Sequence, residues 1–212
     1  AMWGQSIESL ARIETAARRQ SIGLDVYPYT AASTILIEDH IEGSKRILVT
    51  WSAPVPEASG QDLADLAATW NCSLTEAMQR LQPGGAIYFM MEDQDVERIL
   101  THPRSMIGSD GLPHDKHPHP RLWGTFPRVL GYYARERRLF TLEQAVHKMT
   151  GLSAKTFHLA DRGILRAKSF ADIVIFDPAS IADRATFKKP EQTAAGIHTV
   201  LVNGAIAWQR GT

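Results

Sequence analysis

Hydrophobic residues along most of the chain follow the spacing of helices and strands in turn. Residues 6–19 place apolar side chains at the period of a helix, and residues 22–27 then form a strand-like run that stops at Pro28. Further strands are predicted at residues 46–51, 86–91 and 105–109, and further helices at residues 63–70, 73–81, 95–101, 128–137 and 142–149. This alternation predicts an α/β body with parallel strands.

The pattern changes near residue 161, where helical spacing gives way to short strands. These strands are predicted at residues 171–177, 199–202 and 205–208. The last two flank Asn203-Gly204, the dipeptide most typical of a two-residue hairpin. We therefore predict a small β unit over residues 161–212, separate from an α/β body over residues 1–160.

Composition and charge exclude several classes of function. The 212 residues include 23 Lys and Arg and 23 Asp and Glu. The formal net charge is therefore zero, without the basic excess that nucleic-acid binding needs. Hydrophobic residues make up 44%, enough for a sizeable core, but no run of about 18 apolar residues suggests a membrane span. The single cysteine, Cys72, cannot form an internal disulfide, which favours a reducing, cytoplasmic compartment; we expect it to be a small buried hydrophobe.

The arrangement of the strands indicates only part of a (β/α)8 barrel. Parallel strands with intervening helices and with polar residues at their carboxyl ends are typical of that fold, but a whole barrel needs about 250 residues. The chain opens at residues 1–4 without a signal-peptide pattern. Residues 210–212 follow directly after its last predicted strand. We therefore expect a portion of a longer protein.

The densest group of reactive side chains lies in residues 108–121, directly after a predicted strand. Asp110 stands at the carboxyl end of that strand, where the active sites of barrel enzymes lie. An aspartate at this position can bind a metal ion or take a proton from a metal-bound water. The alternative is a carboxylate that only stabilises the turn before Gly111, and the spacing alone leaves both interpretations open.

Three histidines in the same segment, His114, His117 and His119, suggest a metal site. However, a proline separates the last two, and no carboxylate or cysteine pattern completes a zinc-binding set. A rigid, solvated loop is therefore the favoured interpretation. Arg121 could clamp a carboxylate with its planar guanidinium, although a lone arginine is more often a partner in a surface salt bridge.

Hydroxyl side chains follow the first predicted strand, in residues 27–34. Those of Tyr27 and Ser33 are among the groups that could hydrogen-bond a ligand. The alternative is a tyrosine whose ring packs in the core while its hydroxyl meets water. From the residues alone, this alternative is favoured.

Two consecutive stretches carry a specific family signature. They are Ser-Asp-Gly-Leu-Pro-His-Asp at residues 109–115 and His-Pro-His-Pro-Arg-Leu-Trp-Gly-Thr-Phe-Pro-Arg at residues 117–128. Both closely resemble the D-aminoacylases, which are N-acyl-D-amino-acid deacylases of the amidohydrolase superfamily. Further similar stretches lie at residues 24–29, 32–34, 85–91, 148–152, 171–178 and 202–204. The resemblance thus covers nearly the whole chain.

The resemblance implies the C-terminal part of a metal-dependent (β/α)8 barrel, with a small helical insertion at about residues 54–84 and a tail that belongs to a small β-sandwich. Asp110 would be the last-strand aspartate, which acts as general base toward zinc-activated water and then as acid toward the leaving amine. It can also be a weak metal ligand. Tyr27, Ser33 and Arg121 match positions that hold the substrate in the family. Arg121 would pair with the free α-carboxylate, and Tyr27 would help to polarise the scissile carbonyl.

The resemblance also implies zinc as cofactor and an N-acyl-D-amino acid as substrate. The family's other metal ligands are a His-x-His pair, a cysteine and two later histidines, and none of them matches a residue here; Cys72 lies in the insertion. We expect the main zinc ligands in the remaining N-terminal part of the same protein. Two alternatives stay open: a non-catalytic fragment or subunit that completes a barrel, and another amidohydrolase, acting on cyclic amides.

Overall fold

The computed structural model describes residues 3–210. Ala1, Met2, Gly211 and Thr212, the outermost residues of the two predicted units, lie outside the described part. The α-helices are α1 (Ser6–Ala17), α2 (Leu63–Thr69), α3 (Leu74–Leu81), α4 (Asp93–Thr101), α5 (Arg121–Arg128), α6 (Leu142–Met149) and α7 (Gly151–Thr156). The strands are β1 (Leu24–Val26), β2 (Ala32–Ile35), β3 (Ile47–Ser52), β4 (Gly84–Tyr88), β5 (Ser105–Ile107), β6 (Ile173–Phe176), β7 (Ile197–Val202) and β8 (Ala205–Gln209).

Two parallel strands, β1 and β5, lie at the centre of the α/β body. Their register runs from Leu24 opposite Ser105 to Val26 opposite Ile107. α4 leads into β5 and packs against it, α6 packs on the same strand, and α1 packs on α4. The prediction of parallel strands with intervening helices is confirmed for this pair, and no third strand within the described residues joins it.

The strand predicted at residues 86–91 lies in a different kind of sheet. β4 is the central strand of an antiparallel sheet, between β2 and β3, so the expectation of a parallel neighbour is wrong for it. Every residue of β4 is buried, and a continuous apolar run of this kind does not reveal the direction of its neighbours. β2, which the sequence pattern does not predict, places Ser33 opposite Ile87 of β4.

Helices α2 and α3 share a hydrophobic core with this antiparallel sheet. Leu66 of α2 and Met78 of α3 pack in one cluster with Val49 of β3. The predicted capping box of α3 is confirmed: the Ser73 hydroxyl accepts from the Glu76 amide at 3.2 Å, and the Glu76 carboxylate accepts from the Ser73 amide at 2.8 Å. This core supports the sheet from which Ser33 is presented.

The helix predicted at residues 128–137 begins seven residues earlier, at Arg121. α5 contains Pro127 and continues directly into a π-helix, Val129–Glu136. A proline inside a helix lacks the amide donor and normally marks a boundary in a sequence. Here the helix continues beyond Pro127 and adopts π-helical geometry from Val129. Arg121 is therefore the first residue of a helix rather than part of a loop.

The tail forms an antiparallel sheet in the order β6, β7, β8. The predicted hairpin is confirmed: Asn203 and Gly204 adopt φ angles of 52° and 81°, as a type I′ turn requires at both central positions. Exposed apolar side chains of this sheet are Val174, Ile175, Val202, Ile206 and Trp208. Within residues 3–210, no helix combines the length and the apolar character that a membrane crossing needs.

Candidate active site

Asp110 lies three residues beyond the carboxyl end of β5, which ends two residues earlier than the strand predicted at residues 105–109. It adopts a φ of 46°, in the left-handed region that aspartate tolerates better than most residues. Its side chain is 62% exposed, and Oδ2 lies 2.9 Å from Nη2 of Arg121. The carboxylate therefore stands at the surface of the described structure with one side held by a guanidinium and the other side open.

Arg121 occupies the opposite environment, because it is only 1% exposed. Its Nη2 also donates to the backbone carbonyl of Ser33 at 3.3 Å, and the guanidinium lies 4.5 Å from the centre of the Tyr27 ring. Nε and Nη1 have no hydrogen-bond partner within residues 3–210. The interpretation of Arg121 as a surface salt-bridge partner is therefore wrong. A buried donor without a partner costs about 1–3 kcal/mol, so this guanidinium is poised to bind an anion.

Tyr27 and Ser33 both contact the Arg121 guanidinium, Tyr27 through its ring and Ser33 through its backbone carbonyl. Tyr27 follows β1, and Ser33 lies in β2. Burial raises the pKa of Tyr27, although the charge of Arg121 acts in the opposite direction, so the phenol keeps its proton and can donate it in a hydrogen bond. The Ser33 hydroxyl is buried and has no partner within the described residues. The structure thus brings the other three predicted site residues, Asp110, Tyr27 and Ser33, together around Arg121.

Two of the three histidines of residues 108–121, His117 and His119, anchor the segment to neighbouring backbone. The His117 amide donates to the Thr50 carbonyl at 3.1 Å, and its ring Nε2 lies 2.8 Å from the Phe187 carbonyl. His119 Nε2 lies 3.0 Å from the Ala31 carbonyl. The segment is thus fixed, as predicted, but it is not solvated throughout, because His119 is 2% exposed.

Asp115 is a buried carboxyl group that the sequence analysis did not single out. Burial raises its pKa, although His114, Thr50 and Arg121 favour the charged form. Its Oδ1 has no hydrogen-bond partner within residues 3–210, and the Thr50 side chain lies beside the same carboxyl group. An aspartate in a proline- and histidine-rich loop gives no sequence signal for burial. The contact with a strand more than sixty residues away is a product of the fold.

The described residues do not form a metal centre by themselves. No three His, Cys, Asp or Glu side chains within residues 3–210 come close enough together to hold an ion. Asp110 can offer one carboxylate, and structural or catalytic zinc needs three or four protein ligands. Cys72 is partly buried against the core of α2 and α3, which agrees with the hydrophobic role predicted for it. A zinc ion does not fit this chain alone.

An open cavity of about 850 Å³ lies in front of β1. Tyr27 and Asp110 line it together with Asp25, Met90 and Met91. Tyr27 and Asp110 thus face a space wide enough for a small molecule or for further protein. Apolar walls with a few convergent polar groups are typical of a ligand site.

Comparison with known proteins defines the class of protein to which this fold and site belong. Residues 4–207 match the model of the amidohydrolase family, and the chain belongs to that family. It is 58% identical over 207 residues to a D-aminoacylase of Alcaligenes xylosoxydans xylosoxydans, covering 98% of this chain and 43% of that protein. It is 53% identical over 205 residues to an N-acyl-D-glutamate deacylase of the same organism, covering 96% and 42% respectively. The predicted family resemblance is confirmed.

A crystal structure of a relative shows the same fold. It is an N-acyl-D-glutamate deacylase from Bordetella bronchiseptica complexed with zinc and a phosphonate inhibitor that mimics the tetrahedral intermediate of its reaction. The TM-score is 0.96 at 52% identity, and the match covers 99% of this chain and 44% of that one. The chain thus has an amidohydrolase fold that corresponds to part of such a deacylase. It spans less than half the length of these relatives.

Proposed function

We propose that this chain is the C-terminal part of an enzyme that hydrolyses the amide bond of N-acyl-D-amino acids to a D-amino acid and a carboxylate. Its α/β body, residues 1–160, would form the last part of a (β/α)8 barrel with an insertion at about residues 54–84. Residues 161–212 would form part of a small β-sandwich. The identity to two named deacylases supports the reaction, and the parallel pair of β1 and β5 supports the barrel.

The observation that carries the proposal is the buried guanidinium of Arg121. Two of its donor atoms are unpaired within the described residues, and it lies beside the hydroxyl-bearing residues Tyr27 and Ser33. A planar guanidinium binds a carboxylate through two parallel hydrogen bonds. Every N-acyl-D-amino acid has a free α-carboxylate. Arg121 would hold that group, and Ser33 and Tyr27 would orient the amide beside it.

Asp110 would carry the proton in this reaction. Its side chain is open on the cavity side and held by Arg121 on the other. A carboxylate in this position can take a proton from the attacking water and return it to the leaving nitrogen. Because Arg121 would contact both Asp110 and the substrate carboxylate, one guanidinium would align the proton carrier with the amide bond.

The proposed enzyme requires protein outside this chain. The Bordetella relative is complexed with zinc, and we propose that the same metal serves here, with its main ligands in the N-terminal part of the same protein and with Asp110 as a weak ligand. The other proposed partner is the small N-acyl-D-amino acid. A cytoplasmic location remains a prediction from the single cysteine.

The replacement of Asp110 by asparagine in the full protein tests the proposal. Asparagine keeps the size of the side chain but cannot accept a proton, so we expect kcat to fall by about 10²–10⁴-fold, the usual contribution of a general base. Hydrolysis of N-acetyl-D-leucine, N-acetyl-D-glutamate and N-acetyl-D-aspartate would be measured, with hydantoin and dihydroorotate as cyclic-amide comparisons.

Asp65→Asn is the matched control, because Asp65 lies exposed on α2 and makes no contact with the four site residues. It should leave kcat and KM unchanged. Near-normal turnover by Asp110→Asn would contradict the role of Asp110. Turnover of the cyclic amides without turnover of any N-acyl-D-amino acid would replace the proposed reaction with the alternative amidohydrolase reaction.

A further inference from the structure

We call Arg121, Ser33 and Tyr27, the residues proposed to hold the substrate carboxylate, the carboxylate clamp. The imidazole of His119 connects the segment that contains Arg121 to the segment that contains Ser33. Its Nδ1 lies 2.9 Å from the backbone nitrogen of Arg121, which donates to it. Its Nε2 lies 3.0 Å from the backbone carbonyl of Ala31, two residues before Ser33. One side chain thus joins the backbone of Arg121 to the chain that presents Ser33.

The two partners of His119 fix its protonation state. A backbone amide can only donate and a backbone carbonyl can only accept, so Nδ1 is bare and Nε2 carries the hydrogen. A second proton on Nδ1 would place two N–H groups against each other. Burial, and then the positive charge of Arg121, lower the pKa of His119 to about 3. The ring is therefore neutral at every pH near 7, and both of its nitrogens are already used.

His119 also takes the place of a helix cap. Arg121 begins α5, and the capping position is occupied by Pro120, which provides no side-chain hydrogen bond. The first amides of a helix have no partner inside the helix. Since Nδ1 of His119 accepts from the Arg121 amide, the ring sets the direction in which the helix and its first side chain leave the loop.

Aromatic rings hold the imidazole in one orientation. The ring centres of Tyr29 and Phe187 lie 5.1 and 5.0 Å from that of His119, both edge to face, and that of Tyr27 lies at 6.4 Å. Edge-to-face contacts at these distances are favourable. Tyr27 lies against both His119 and the Arg121 guanidinium. A change at His119 would therefore reach the clamp through the Arg121 backbone and through Tyr27.

We propose that His119 is a positioning residue of the carboxylate clamp: a neutral histidine, not a metal ligand, that fixes the Arg121 guanidinium relative to Ser33 and Tyr27. This inference rests on the proposed function of Arg121. It predicts that loss of the His119 hydrogen bonds weakens recognition of the substrate carboxylate specifically. Recognition of the remainder of the substrate should change much less.

The test compares each substrate with its α-carboxamide in the full protein. The preferred N-acetyl-D-amino acid of the panel above and its α-carboxamide would be assayed with wild type, His119→Phe and His119→Asn. Phenylalanine keeps a ring among the aromatic neighbours but loses both hydrogen bonds, so we expect the wild-type preference for the carboxylate in kcat/KM to fall roughly tenfold, mainly through KM. Asparagine offers an oxygen near the position of Nδ1 and should restore most of the preference.

His117→Phe is the matched control, because His117 also anchors the loop through its ring but does not contact Arg121. It should keep the carboxylate preference of the wild type. Bound zinc, measured by elemental analysis, should be the same in wild type and His119→Asn. Loss of zinc from that variant would overturn the proposal, and so would an unchanged carboxylate preference in both His119 variants.

The same assay separates the two proposals. If the wild type hydrolyses no N-acetyl-D-amino acid, or hydrolyses the acid and the carboxamide equally well, the proposed role of Arg121 fails. If the wild type prefers the acid and both His119 variants keep that preference, only the role of His119 fails. If His119→Phe does not fold, His119→Leu, which also lacks both hydrogen bonds, decides through the loss of carboxylate preference compared with His117→Leu.

Discussion

Arg121 and Asp110 form an ion pair, but their surroundings differ strongly in burial. The Arg121 side chain is 1% exposed, whereas the Asp110 side chain is 62% exposed. Arg121 is enclosed by β2, by the start of α5 and by the aromatic rings around His119. Asp110 follows a strand pair that no third strand joins within the described residues. The described residues thus enclose Arg121 fully, whereas they leave Asp110 open on one side.

Under the proposed function, this difference would place recognition of the substrate carboxylate in this chain and leave part of the chemistry to other protein. The residues proposed to hold a carboxylate are supported within residues 3–210 by hydrogen bonds that span up to 88 positions of sequence. A pair of strands with open edges has unpaired backbone groups on both sides, and two strands alone are marginally stable in water. We propose that the protein which supplies the main zinc ligands packs against β1 and β5.

The largest expected effect in the clamp follows from Arg121→Ala in the full protein. Charged hydrogen bonds are worth about 1.5–3 kcal/mol, so we expect KM for the N-acyl-D-amino acid to rise by up to about 100-fold, with a smaller change in kcat. Steady-state kinetics measure both constants. Arg121→Lys keeps the charge but not the planar pair of donors, and it should fall between the wild type and alanine.

Arg135→Ala provides the comparison for this variant. Arg135 also donates to two backbone carbonyls and pairs with a carboxylate, but on the side of the molecule where the tail begins. It should lower stability without raising KM. An unchanged KM in both Arg121 variants would contradict the assignment of the clamp, and an equal rise in Arg135→Ala would show that KM reports only general loosening of the fold.

The sequence predicts the local elements better than their arrangement. Periodicity finds most helices and strands, because a 3.6-residue or two-residue repeat reflects which side chains face a core. It misses β2, since Ser33 and Thr34 interrupt the apolar pattern. It also cannot state that β4 is antiparallel, because pairing direction depends on residues far away in sequence. The predicted start of α5 is seven residues too late, because a proline such as Pro127 normally marks a helix boundary.

The sequence likewise predicts which residues form the site better than it predicts their surroundings. The position after a strand points to Asp110, and the family signature points to Tyr27, Ser33 and Arg121. The burial of Arg121 and the support from His119 depend on contacts with a strand about 90 residues earlier. A histidine that binds two backbone groups has no sequence pattern to distinguish it from a solvated one. Its role therefore becomes visible only in the fold.

A smaller effect, on stability, should follow from the pH dependence of His119. The pKa of His119 is about 3 in the folded chain and 6.5 in the unfolded chain. Between these values the unfolded chain binds a proton that the folded chain does not, so stability falls as the pH decreases from 6.5 toward 3. This one group contributes at most about 1.4 kcal/mol per pH unit, or about 2 kcal/mol between pH 6.5 and 4.5.

Urea unfolding followed by circular dichroism at pH 7.5 and pH 4.5 measures this effect in the full protein. Carboxylates also titrate in the range, so the informative quantity is the difference between the wild type and His119→Asn. The urea midpoint of the wild type should fall more than that of His119→Asn, since the variant lacks the titrating ring. Equal shifts in the two proteins would contradict the neutral, buried state of His119.

The smallest expected effect tests whether substrate binding by the clamp is independent of the stability of the surrounding helices. Ser73→Ala removes the hydroxyl that caps α3, and Thr141→Ala removes the equivalent hydroxyl at the start of α6. Each should cost about 1 kcal/mol of stability, measured from urea midpoints, and neither should change KM by as much as twofold. α3 supports the sheet that carries Ser33, whereas α6 packs against β5. A rise in KM for Ser73→Ala alone would mean that the clamp depends on the rigidity of α3. Its support would then extend beyond His119 and its aromatic neighbours.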